Sequence, residues 1–309
     1  MRHRSALPKE LGQTFALSDA ADLGVSRWRQ DSADLARPFP GVRSIEVPLS
    51  FRAVAECYAR RIRGGHRFCG VTAARIWGLP VPWRWTADEP LEVAVPEDSA
   101  PPSIRGVRGR RLRHDRGALM RVAGLPVLDP IATLFTLVPR LTPVQAAVVV
   151  DALITSSDHY PGLDPRRPLA TLPEIARDIA SWGRFEGIAT IRAAQDWARA
   201  GVDSPKETET RLLIVGAGMP EPVVQYEVRD RGYKVATVDL AYPQWKIAME
   251  YEGDGHRTDR DQWREDIRRQ RALEELGWTV IRLTQVDLGR GRASFLARLE
   301  RLLTARSGR

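Results

Sequence analysis

The segment TVDLAYPQWKIAMEYEGDGHR, residues 237–257, decides how the last third of the chain is read. Its apolar residues alternate with period two on both sides of a Pro-Gln pair, which spells two short strands joined by a turn. Carboxylates interrupt the pattern: Asp239 in the first strand, Glu250 and Glu252 in the second. A half-buried strand holds such groups only if they are paired or face a cation. With Pro243 and Gln244 as a two-residue loop, Ala241 faces Lys246, Asp239 faces Ala248, and Glu250 is the diagonal neighbour of Asp239. Period two then puts Asp239, Lys246, Ala248, Glu250 and Glu252 on one face, and Ile247, Met249 and Tyr251 in the apolar layer. A slip of one residue would separate the carboxylates. Clustered carboxylates suit a hard cation such as Mg²⁺, which activates a bound water and neutralises a phosphate oxygen. Without a cation, the same residues make a solvated hairpin face.

Working outward, SPKETETRLLIVGAG predicts a helix with Ser204 as N-cap, Pro205 at N1 and Glu207 at N3. The strands VVQYEVRD and YKVATVDLAY follow, with a turn at Arg231-Gly232 between them. After residue 252 come a long helix from about Asp261 to Leu276, stopped by Gly277, then the strand WTVIRLT and a C-terminal helix. Residues 201–309 thus read as αβββαβ plus a terminal helix, a mixed α/β domain.

Toward the N-terminus, residues 1–48 show a different rhythm. Ser18 is placed to cap a helix through Leu23, Gly24 gives a turn, Ser26 caps a second helix, SRWRQDSADL, and ARPFPGVRSIEV predicts a hairpin at Pro40-Gly41. Helix, turn, helix and ribbon is the order of a winged helix-turn-helix, which would present Arg27, Trp28, Arg29 and Gln30 to DNA, with Arg43 on the ribbon. The alternative is a small helical subdomain with solvated arginines. Residues 49–200 read as an α+β middle region. It contains a basic strand with Arg105, Arg108, Arg110, Arg111 and Arg113, suited either to phosphate contact or to a solvated sheet edge. His66, His114 and His159 have no evident partners there.

Composition agrees with a polyanionic partner. The chain has 309 residues, 47 Lys and Arg against 39 Asp and Glu, and a net charge of +8. Cys57 and Cys69 form no CxxC or zinc spacing. No run approaches a membrane-spanning length, and MRHRSALPKE lacks the apolar run of a signal peptide, so a cytoplasmic location and no membrane partner are expected.

The motif set Asp239, Glu250, Glu252-Gly253, His256, Asp266, Arg269 and Gly277-Trp278 resembles the DUF559 domain, a branch of the PD-(D/E)XK nuclease superfamily. It is also similar to very-short-patch-repair-type endonucleases. The resemblance covers roughly the last third of the chain and implies a restriction-endonuclease-like fold. It implies Mg²⁺ or Mn²⁺ held by Asp239 and Glu250, with Glu252 as a further ligand or a base, and His256 as a proton donor or a helix-entry residue. Glu252 stands where the superfamily has lysine and this branch usually has aspartate; Lys246, Arg264 and Arg268 are candidates for the missing charge. Asp266 and Arg269, one helical turn apart, suit an ion pair. FALSDAADLGVSRWRQ, TAARIWGLPVP and GLPVLDPIATL resemble the AbiEi-type antitoxin family, winged-helix regulators of type IV toxin–antitoxin systems. Together these imply an α/β multidomain protein binding double-stranded DNA. It would be either a Mg²⁺-dependent nuclease or a non-catalytic regulator with a cognate toxin and a degenerate nuclease domain.

Overall fold

The structure, a computed structural model, describes residues 5–252 and 260–308, with side chains omitted for 260–264. The protein is mixed α/β, with three sheets among the described residues. It divides into two compact units, residues 1–140 with 178–186, and residues 141–177 with 187–309. The division runs across the expected middle region, because most of 141–200 joins the C-terminal unit.

The first unit opens with β1 (Thr14–Ala16), α1 (Leu17–Asp22), α2 (Arg27–Gln30) and β2 (Val42–Ser44). β1 and β2 pair antiparallel, Phe15 against Arg43, over a core of Leu11, Phe15, Ala20 and Leu35. The strand after Pro40-Gly41 therefore pairs with β1. Its contact with the preceding segment is a single bridge, Ala36 to Ser44, where a local hairpin was expected. Helix α1 starts one residue ahead of Ser18, whose hydroxyl donates to Asp19. Ser26 caps α2 as expected, accepting from the Arg29 N–H. The helix stops at Gln30 instead of running to Leu35. Arg43 Nε takes the Gln30 carbonyl at 2.7 Å, the acceptor that a further helical turn would need.

Helices α3 (Phe51–Ala59), α4 (Gly70–Trp77) and α5 (Pro130–Leu137) accompany strands β3 (Arg67–Phe68), β4 (Leu91–Pro96), β5 (Ser103–Ile104), β6 (Val107–Leu112), β7 (Leu119–Val122) and β8 (Leu125–Leu128). The sheet order is β5-β6-β4-β3-β8-β7. The buried run in β4 marks an interior strand. Arg108, Arg110 and Arg111 are exposed on β6, which is itself interior; the two-residue β5 forms the edge.

The second unit contains α6 (Pro143–Ile154), α7 (Leu172–Trp182, whose last turn belongs to the first unit), α8 (Ile188–Trp197) and α9 (Pro205–Gly216). These precede β9 (Val223–Asp230), β10 (Tyr233–Tyr242), β11 (Ile247–Tyr251), α10 (Arg260–Glu275), β12 (Thr279–Leu283), α11 (Gln285–Leu288) and α12 (Arg292–Ser307). The sheet order is β12-β11-β10-β9, antiparallel except for the β11–β12 pair. Leu240, Tyr242, Ile247, Met249, Ile281 and Leu283 pack with Ile214 of α9 and Phe295, Leu299 and Leu303 of α12. Ala241 and Ala248 pack with Leu273 of α10 and with Trp278. Arg231 and Gly232, both at positive φ, make the expected two-residue turn between β9 and β10.

A buried polar knot joins α6 to α9. Asp151 accepts from Arg211 and Thr208, each at 2.9 Å, and from the Arg199 N–H at 2.7 Å. Among the described residues, no helix is long and apolar enough to cross a membrane.

Candidate functional site

The hairpin between β10 and β11 is longer than the two-residue loop expected. Pro243–Trp245 form a 3-10 turn, and Lys246 closes it at φ +48°, so Tyr242 pairs with Ile247. The register moves by two residues, which preserves the face and brings Asp239 level with Glu250. The ladder ends at Leu240–Met249. One step further, the Asp239 Oδ2 accepts the Tyr251 N–H at 2.8 Å.

Glu250 is 8% exposed. Its Oε2 accepts from Arg269 of α10 at 3.2 Å, while its Oε1 is buried and has no hydrogen-bond partner among the described residues. The expected Asp266–Arg269 contact is present at 3.7 Å. Burial raises the Glu250 carboxyl, Arg269 opposes the rise, and the Asp239 charge reinforces it. Asp239 is raised too, first by burial, against the Tyr251 N–H and Arg269.

Glu207 closes the acidic group from the α9 side. Its backbone N–H donates to the Ser204 hydroxyl, as the N-cap predicts, while its carboxylate accepts from that hydroxyl at 2.8 Å where a capping box would use the Ser204 N–H. The carboxylate also accepts from the Asp203 N–H at 3.0 Å and from Gln225 at 2.9 Å. Burial, and then the charge of Asp239, push it up to about 8 despite those donors. The cap thus belongs electrostatically to the same cluster.

Glu252 is turned elsewhere. Its N–H donates to Leu283 at 2.7 Å, and its side chain pairs with Arg282 of β12. Arg282 also donates to Gln270 at 2.8 Å and stands beside Glu250 in the β11–β12 register. The sequence reading did not single out Arg282, although a charge inside WTVIRLT is the same kind of signal that marked Asp239. Lys246 lies at the far end of β11 from Glu250, roughly 13 Å along the strand at ~3.3 Å per residue. It donates to Leu276 there. Arg268 is exposed on α10. His256 and the side chain of Arg264 lie outside the described residues. Among the described residues, no group of three or more His, Cys, Asp or Glu side chains is arranged to hold a metal ion. The acids placed together are Asp239 and Glu250, and Glu207 is influenced by the charge of Asp239.

In the N-terminal segment, Arg29 is buried and donates to the Ser5 carbonyl at 2.8 Å and to Asp34. Gln30 donates to the Val25 carbonyl at 2.8 Å, and Arg43 holds the Gln30 carbonyl and Asp31. Arg27 and Trp28 are exposed.

No family model matches the chain. It is similar to an uncharacterized protein of Mycobacterium tuberculosis, Rv2248 in strain H37Rv and MT2308 in strain CDC 1551. Identity is 27% over 242 residues, covering 78% of this chain and 82% of the relative. Among solved structures, the RV2827C protein of Mycobacterium tuberculosis aligns at 14% identity and a TM-score of 0.35, over 74% of this chain and 91% of that one.

Chemically, Asp239 and Glu250 supply hard oxygen donors where the β10–β11 ladder ends, with guanidinium groups of Arg269 and Arg282 beside Glu250. Such a set favours a small oxygen-loving cation and an anionic substrate over a thiolate- or imidazole-type metal.

Proposed function

We propose that the C-terminal domain is a restriction-endonuclease-like fold that hydrolyses DNA phosphodiesters with Mg²⁺ or Mn²⁺, and that the N-terminal segment, as a winged helix, binds the duplex. The observation that carries this reading is the buried Oε1 of Glu250, without a hydrogen-bond partner among the described residues, level with Asp239. A buried carboxylate oxygen without a donor is costly, and a bound cation removes that cost. Asp239 and Glu250 would hold the ion, which supplies an activated water and charge neutralisation at the phosphate. The net charge of +8 supports a polyanionic substrate.

The test is cleavage of plasmid and linear duplex DNA with Mg²⁺ or Mn²⁺, comparing wild type with Asp239→Asn and Glu250→Gln. Loss of about 10²-fold or more in each variant is expected, since several kcal/mol of charge stabilisation depends on the ion. Equal cleavage by wild type and Asp239→Asn refutes the assignment.

A second reading, a non-catalytic DNA-binding regulator paired with a toxin, has its own observation. Glu252 is committed to Arg282, and Arg269 already neutralises one oxygen of Glu250. Specific operator binding without cleavage in either metal would favour it.

A further inference from the structure

We infer that Arg282 is a phosphate-contacting residue of this site and that Glu252 is the residue that positions it, not a metal ligand; this rests on the phosphodiesterase reading above. Arg282 is placed by the backbone. In the parallel β11–β12 ladder it is the register partner of Glu250, and paired residues of a ladder project to the same face. Its neighbours Ile281 and Leu283 are buried in the opposite layer, so the strand delivers the guanidinium to the carboxylate face.

Two contacts orient the guanidinium: Glu252 on one terminal nitrogen and Gln270 of α10 on the other. Its side chain remains 38% exposed, and two of its five N–H groups are used among the described residues. Arg269 differs: its described contacts are with Glu250 and Asp266, so its charge is directed at the acids. An anion approaching Asp239 and Glu250 needs a positive group of its own, and Arg282 combines adjacency to Glu250, fixed orientation and donors not used among the described residues. A guanidinium held this way suits two phosphate oxygens at once. Glu252 places its Oε1 on Arg282, which directs that carboxylate to the guanidinium.

The experiment uses the full chain. Affinity for a short duplex is measured by fluorescence anisotropy over a range of salt concentrations, with Ca²⁺ replacing Mg²⁺ to hold off cleavage. Mn²⁺ binding is measured separately by calorimetry. Arg282→Ala should weaken DNA binding about tenfold, the equivalent of one charge-assisted hydrogen bond, and lower the salt slope by about one. Arg282→Lys should recover the slope with only part of the affinity. Glu252→Gln should retain wild-type Mn²⁺ affinity while weakening DNA binding. Wild-type DNA affinity and salt slope in Arg282→Ala overturn the inference, as does loss of Mn²⁺ binding in Glu252→Gln. If Arg282→Ala does not fold, the Arg282→Lys and Glu252→Gln measurements decide. Unchanged Mn²⁺ affinity in Asp239→Asn would instead sink the metal-site reading and leave the Arg282 measurements to stand on their own. A wild-type chain with no affinity for DNA overturns both.

Discussion

Glu207 is the residue at which structure and electrostatics meet. As a helix cap it needs only one good acceptor, yet it is buried near Asp239 and its pKa is raised from 4.5 to about 8. The folded state therefore binds a proton that the unfolded chain has released across that interval. The stabilisation from Glu207 is complete below about 4.5 and is lost as the pH climbs toward 8. Thermal unfolding of the metal-free protein should show a midpoint that falls over this window, and Glu207→Gln should flatten the fall. An unchanged pH dependence in the variant would show that Glu207 titrates normally. The cap itself was legible in SPKE, because a Ser-Pro-x-Glu pattern is local. Its link to Asp239 was not, because it depends on where α9 lies against β10.

At the scale of elements, the site depends on the β10–β11 hairpin, and one side chain locks its closed end. Arg306 of α12 donates to the carbonyls of Trp245 and Lys246 at 2.5 and 3.0 Å, and to Thr279 Oγ1 at 2.6 Å. It thereby ties the turn to the start of β12, where the Thr279 N–H also reaches the Lys246 carbonyl. Arg306→Ala should cost about 2–3 kcal/mol, since charge-assisted bonds to carbonyls are lost at once. Chemical denaturation would detect it, and a cost below ~0.5 kcal/mol would mean that solvent replaces the clamp. The turn also explains the error in register. Pro-Gln looks like a two-residue loop, but Pro243 begins a 3-10 turn and Lys246 takes a positive φ. The displacement is an even number of residues, so the face assignment survived while the pairing changed.

For the whole molecule, the informative feature is the knot around Asp151. A carboxylate with no exposure, in the apolar helix PVQAAVVVDALI, is held by Arg211, sixty positions later. Removing one member of a buried pair leaves the other charge unpaired, at about 3–5 kcal/mol. Asp151→Ala should therefore weaken hydrogen-exchange protection in β10 and β11, although residue 151 lies well before those strands in sequence. Unaltered protection there would show that α6 is not part of the same cooperative unit. This is also why the unit boundary differs from one drawn on composition. Pro- and Gly-rich punctuation separates helices in sequence, but α6 packs on α9 and α8 packs on α6, which joins them to the C-terminal unit.

Local rules were enough for much of this protein. Period-two alternation located β9, β10 and β11, Ser204 and Ser26 marked helix starts, and Asp239 and Glu250 stood out because carboxylates disturb an apolar strand. Each of those signals lies within a few residues of what it specifies. Tertiary structure alone decided the rest. It buried Glu250 Oε1 without a partner among the described residues, turned Glu252 toward Arg282, and brought Glu207 under the influence of Asp239. It also consumed Arg29, Gln30 and Arg43 in holding the N-terminal segment together. The physical reason is common to all four. A charged group's environment depends on which distant segment supplies its partner, and strand pairing and helix packing make that choice after the local pattern is already set.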